Sequence, residues 1–61
     1  GAEQMTPDQA YQDGYDARKY DRATLRANPH PITSDLWTAW VDGWLDRRDW
    51  ERRTGAERGR A

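Results

Sequence analysis

Four tryptophans, Trp37, Trp40, Trp44 and Trp50, stand within one short stretch of a chain that is otherwise strongly polar. The N-terminal half supplies a complement: Ala10, Gly14 and Ala17 are small and recur at helical spacing. At about 100° per residue they form one narrow stripe, with Tyr11 and Tyr20 on its flanks. Indole rings on one helix need a surface to bury against, and a smooth stripe on a second helix offers it. Each large aromatic buries about 150–250 Å² in such a contact. The pairing predicts an all-α fold, a two-helix antiparallel hairpin.

Local signals place the helices. Thr6-Pro7-Asp8-Gln9 is a helix start: Thr6 caps, Pro7 suits the first helical position, and Gln9 sits where a capping box wants Glu or Gln. Asp8 adds negative charge at the positive pole of the dipole. Helix 1 is predicted over about residues 6–22. Gly14 costs about 1 kcal/mol against Ala in mid-helix, and close approach by a ring of the partner helix is the expected compensation. Asn28-Pro29-His30-Pro31 ends any helix and gives a Pro-rich loop over about residues 24–32. Helix 2 is predicted over about 33–54, opening at Thr33-Ser34-Asp35. With Thr33 as cap, Ile32 and Trp37 would form a hydrophobic staple. Trp37, Trp40, Val41, Trp44 and Leu45 follow the i, i+3, i+4, i+7, i+8 rule and predict the core face. Gly55 is the natural stop. Residues 6–54 form the domain; 1–5 and 55–61 are expected to be flexible tails, with Met5 a plausible native start and Gly1 to Gln4 partly a cloning remnant.

Size and composition exclude much. The chain has 61 residues, 34% of them hydrophobic, against about 45–50% in an average globular protein. Domains below roughly 70–80 residues usually need a disulfide, a metal or a partner. Cysteine is absent, so disulfides and cysteine-based zinc sites are excluded, and one histidine, His30, makes no typical metal site. The stability margin of a lone hairpin is therefore small, and a homodimer would enlarge it. No run approaches the roughly 18 apolar residues of a membrane span, and none resembles a signal peptide. A cytoplasmic protein without cofactor, membrane or small-molecule substrate is the expectation.

The net charge is −1, but the signs fall in blocks. Residues 1–16 are acidic, 17–27 basic, 28–46 acidic and 47–61 basic. Each block has the sign that favours its own helix pole. In an antiparallel hairpin, opposite blocks would also lie side by side. That is one sufficient account of the arginines. The other is that Arg18, Lys19, Arg22 and Arg26, or Arg47, Arg48, Arg52 and Arg53, contact phosphates, with binding that weakens steeply in salt.

The order Ala10-x3-Gly14-Tyr15-x-Ala17, a basic stretch ending in Asn28-Pro29-His30, and then Trp40-x2-Gly43-Trp44 resembles the ribosome modulation factor family and its CrpP-like relatives. The resemblance covers residues 10 to about 48. It implies a two-helix fold without a cofactor. For the founding members it implies binding to the small ribosomal subunit during slow growth, blocking mRNA access and promoting inactive ribosome pairs (ribosome hibernation). Relatives in phage and accessory genomes have mostly unknown roles, and some have been proposed to modify a drug in an ATP-dependent reaction. The chain departs from the pattern in three respects. Founding members are strongly basic, a family aromatic after the turn proline is His30 here, and a family glycine corresponds to Asp21.

Residue by residue, the structural candidates are Ala10, Gly14, Ala17, Asn28, Pro29, Trp37, Trp40, Gly43 and Trp44, with Gly43 expected to relieve crowding between rings. Candidates for RNA or partner contact are Arg18, Lys19, Arg22, Arg26, His30, Arg47, Arg48 and Trp50. His30 also reads as a plain turn residue, and Asn28 as a loop residue bonding its own backbone. Trp50 lies off the core stripe between Asp49 and Glu51, where it meets a partner, packs on the first helix or a frayed terminus, or stands plainly exposed. Tyr11 and Tyr15 cover the stripe edge or serve a dimer contact. Asp42 and Asp46 read as a solvated pair. No Gly-rich phosphate loop of the GxxxxGK type is present, and Ser34, the only serine, reads as a cap. The leading expectation is a non-enzymatic modulator of translation on the small ribosomal subunit or its rRNA. The alternative is a protein-interaction module of phage or accessory origin docking on a host protein; a CrpP-like drug-modifying enzyme is a distant third.

Overall fold

The computed structural model of the chain describes residues 5–55. The tail residues 1–4 and 56–61 lie outside the described residues. The fold is all-helical: α1 spans Pro7–Asp21, a 3-10 turn spans Leu25–Ala27, and α2 spans Asp35–Thr54. Two helices and a proline-containing connection are what the residue pattern predicts.

The start of α1 is a full capping box. The Gln9 backbone N–H donates to Thr6 Oγ1 at 3.2 Å, and the Thr6 N–H donates to Gln9 Oε1 at 2.9 Å. The helix ends where Arg22 turns left-handed at φ 54°, and the Ala23 N–H closes on Ala17 O at 3.0 Å. A non-glycine residue there costs roughly 1–2 kcal/mol. Helix α2 is capped by Ser34, whose Oγ accepts from the Trp37 N–H at 3.1 Å. Thr33 therefore does not cap. Ile32 is 71% exposed, and the expected staple with Trp37 does not form. Gly55, left-handed at φ 80°, stops α2 as its position predicts.

The relative direction of the helices corrects the antiparallel expectation. Tyr11 meets Asp46, Tyr15 faces Arg47 and Arg18 meets Glu51, so contacts advance along both helices in the same sense. In an antiparallel pair centred on Gly14 and Trp40, Arg18 and Glu51 would lie roughly 20 Å apart along the axis at about 1.5 Å per residue. The connecting segment allows the arrangement by running back along α2. Ala23 O accepts from Trp44 Nε1 at 2.7 Å, and five residues later Asn28 Nδ2 donates to Trp37 O at 3.1 Å. The expected side-by-side cancellation of opposite charge blocks is replaced by individual pairs.

Ala10, Trp40 and Trp44 form the buried core, with Ala17, Leu36, Ala39, Val41 and Leu45 packed against it. Trp37, expected in that core, is only half-buried and holds the loop through its carbonyl instead. The buried face of α2 is Trp40, Gly43, Trp44 and Glu51. It is rotated from the stripe of large apolar side chains because the helices meet through glycine. A Cβ on Gly14 would overlap the Trp40 carbonyl, and one on Gly43 would overlap the Tyr11 carbonyl. Neither glycine makes room for a ring, as was expected of both. Each admits the backbone of the other helix, the close approach that only glycine permits.

Candidate functional site

From that crossing, α2 continues with three distinct flanks, which gather all of the charged and aromatic candidates except Lys19, Arg22 and Arg26. The first faces α1 and is closed by Glu51, the one buried charged residue among those described, at 5% exposure. Arg18 donates to its Oε1 from Nε at 3.1 Å and from Nη2 at 2.8 Å. Arg47, one turn earlier on α2, donates from Nε to Oε2 at 3.0 Å. Burial alone pushes the Glu51 carboxyl up, but the hydrogen bonds from Arg18 and Arg47 outweigh it and hold the group below the usual carboxylate range. Two arginines singled out for phosphate or partner contact are thus engaged in joining the helices. Nothing in the order of residues around Glu51 marks it for burial; only its i, i+4 spacing from Arg47 hinted at a role.

The second flank faces the loop. Trp44 lies here with its indole N–H on Ala23 O, the Arg18 guanidinium 4.7 Å from its ring centre and that of Arg48 at 5.8 Å. Arg48 is half-buried, and its Nε has no hydrogen-bond partner in the structure. His30 is half-buried in the turn; its backbone N–H donates to Asn28 Oδ1 at 3.1 Å, and its Nε2 is buried without a partner. Asn28 does bond its own turn, as expected, but its Nδ2 also clasps the loop to α2. Pro29 is exposed beside it.

The third flank is an open groove of about 530 Å³ lined by Tyr11, Tyr15, Asp46, Asp49, Trp50, Arg52 and Arg53. Trp50 is 40% exposed and carries the Arg47 guanidinium 4.2 Å from its ring centre. Asp46 is not merely solvated, since it accepts from the Tyr11 hydroxyl. That bond, with burial and the nearby carboxylate charge, pushes the Tyr11 phenol up to about 12. The groove was legible only in part: Trp50, Tyr11 and Tyr15 stand out in the sequence, but their meeting depends on the direction of the helices.

A separate basic segment occupies the end of α1 and the 3-10 turn. Lys19, Arg22 and Arg26 are all exposed there, beside Tyr20 at 69% exposure and Leu25 at 41%. The Lys19 ammonium lies 4.8 Å from the Tyr20 ring centre. Of the eight contact candidates, then, the structure leaves these three cations and Trp50 open to solvent and ties Arg18 and Arg47 into the helix contact.

Among the described residues, no group of three His, Cys, Asp or Glu side chains could hold a metal ion, and no helix is long and apolar enough to cross a membrane. No protein-family model, curated protein or solved structure matches the chain.

Proposed function

We propose that this protein is a non-enzymatic modulator of translation of the ribosome modulation factor type, binding RNA of the small ribosomal subunit. One observation supports this reading above the others: the residues that carry the resemblance are the ones that make the helix contact. Gly14 lies on the Trp40 carbonyl, Gly43 on the Tyr11 carbonyl, and Trp44 holds the returning loop. The motif is used as a unit, which favours a shared architecture over chance similarity of composition.

RNA contact is assigned to Lys19, Arg22 and Arg26, with Arg18 and Arg47 as structural supports. Tyr20 adds an exposed ring to the same segment. Cations interleaved with an aromatic suit phosphate contact and base stacking. A site of about three phosphate contacts should lose affinity with salt at a logarithmic slope of roughly −2 to −3.

The test is co-sedimentation with small subunits across a salt series. Replacing Lys19 and Arg26 with Ala and Arg22 with Gly should abolish capture while leaving the fold intact, each change flattening the slope by about one. Absence of binding to ribosomes or RNA even at low salt would reject the proposal. Capture that resists nuclease and moderate salt would point instead to docking on a host protein.

A further inference from the structure

The groove on the third flank of α2 shares no residue with the basic segment assigned to RNA, and its chemistry is different. Asp46, Asp49, Trp50 and Arg53 recur at i, i+3, i+4 and i+7, so one face of α2 presents carboxylates first, an indole in the middle and a guanidinium last. Tyr11 and Tyr15 of α1 form the opposite wall. A ligand of one charge would meet its own sign at one end of this groove. A helix of the same sequence, laid against it head to tail, would meet the opposite sign at both ends.

We propose that this face is a self-association surface on which a second copy of the chain docks about a twofold axis. Asp46 of each copy then faces Arg53 of the other, and the two Trp50 rings lie near the axis, each against the tyrosine wall of the other copy. A twofold contact is the commonest way for a small chain to associate, and it requires a self-complementary patch of this kind. Two further features fit. The groove, at about 530 Å³, has room for an incoming aromatic side chain, while Arg47 covers one face of Trp50 and leaves the rest of the ring to be buried. Among the described residues only Ala10, Trp40 and Trp44 are buried apolar side chains, so covering a 40% exposed indole adds materially to what a single copy buries. Aromatic residues at the centre of an interface with charges at the rim are the usual distribution of binding energy.

The experiment is sedimentation equilibrium of the full chain from micromolar to millimolar loading, with circular dichroism of each variant to verify helicity. The wild type is expected to pass from the 7.2 kDa chain mass to twice that value as concentration rises. Trp50→Ala should remain monomeric. Asp46→Arg and Arg53→Asp should each weaken association by roughly tenfold or more, because each places like charges opposite one another twice. The combined variant Asp46→Arg/Arg53→Asp should associate again, since the swap restores opposite signs at both ends. Arg53→Asp, on the exposed last turn, serves if Asp46→Arg does not fold. A wild type that stays monomeric at every loading overturns the proposal. So does a dimer indifferent to Trp50→Ala and to both charge reversals, and so does a folded double swap that stays monomeric.

Discussion

The crossing at Gly14 and Gly43 and the junction at Glu51 join the same two helices by opposite means. At the crossing, side chains are absent and backbone meets backbone. At the junction, long charged side chains from Arg18 and Arg47 converge on one buried carboxylate. The first contact has no slack, because a carbonyl group cannot rotate away from an added methyl. The second has slack in every torsion of two arginines, and its net value is reduced by the cost of taking charges out of water. The crossing should therefore dominate stability, and the junction should dominate its dependence on pH.

The sharpest challenge to that contrast is Gly14→Ala. In an isolated helix this change gains about 1 kcal/mol. Here the methyl overlaps the Trp40 carbonyl, and overpacking should instead cost about 3 kcal/mol or more, enough to unfold so small a domain. Gly43→Ala should behave alike against Tyr11. Urea unfolding followed by circular dichroism measures both. A stabilised Gly14→Ala would mean that the helices do not meet through these glycines.

At the junction, Glu51→Ala should cost about 2 kcal/mol, below the range for a fully buried pair because Arg18 and Arg47 side chains are each 16% exposed. Glu51 is held below its ordinary pKa, so its contribution is complete above the unfolded carboxylate value and is lost as pH falls through the folded one. Stability measured from neutral pH downward should drop through the acid range in the wild type, and less steeply in Glu51→Gln. An identical acid profile in the two would remove Glu51 from the account.

Smaller effects test the connections around the two contacts. Trp44→Phe removes the indole hydrogen bond to Ala23 O and should cost about 1–2 kcal/mol. Ser34→Ala should cost about 1 kcal/mol, while Thr33→Ala costs close to nothing, since only Ser34 caps α2. The smallest change is Tyr11→Phe, under about 1 kcal/mol near neutral pH. Its signature is alkaline. The Tyr11 phenol is raised to about 12, so its stabilising contribution holds below pH 10 and fades as pH climbs towards 12. Absorbance titration should show a phenol that ionises late, and that step should vanish in Tyr11→Phe.

Much of this architecture was readable residue by residue. Thr6-Pro7-Asp8-Gln9 specified a capping box, Asn28-Pro29-His30-Pro31 specified a break, and Ala10, Gly14 and Ala17 specified the packing stripe. These features act over three or four residues, where backbone geometry is nearly independent of the rest of the chain. Trp37 shows where such reading stops. By periodicity it belongs with Trp40 and Trp44, yet the docking face of α2 is turned towards Gly43, and periodicity counts side chains, not the lack of one. Glu51 is the converse: a charge among charges, buried because two arginines from different turns and helices reach it.

What the sequence determined by itself was local: two helices with their caps, the break between them, and a supply of indoles and small residues too sparse for any other core. The direction in which the helices cross, the burial of Glu51 and the assembly of Tyr11, Tyr15 and Trp50 around one groove were decided only in three dimensions. The physical reason is that a loop of a dozen residues can return the chain in either sense. Contacts between residues some thirty positions apart then select one sense, here the two glycines on facing carbonyls and Arg18 on Glu51.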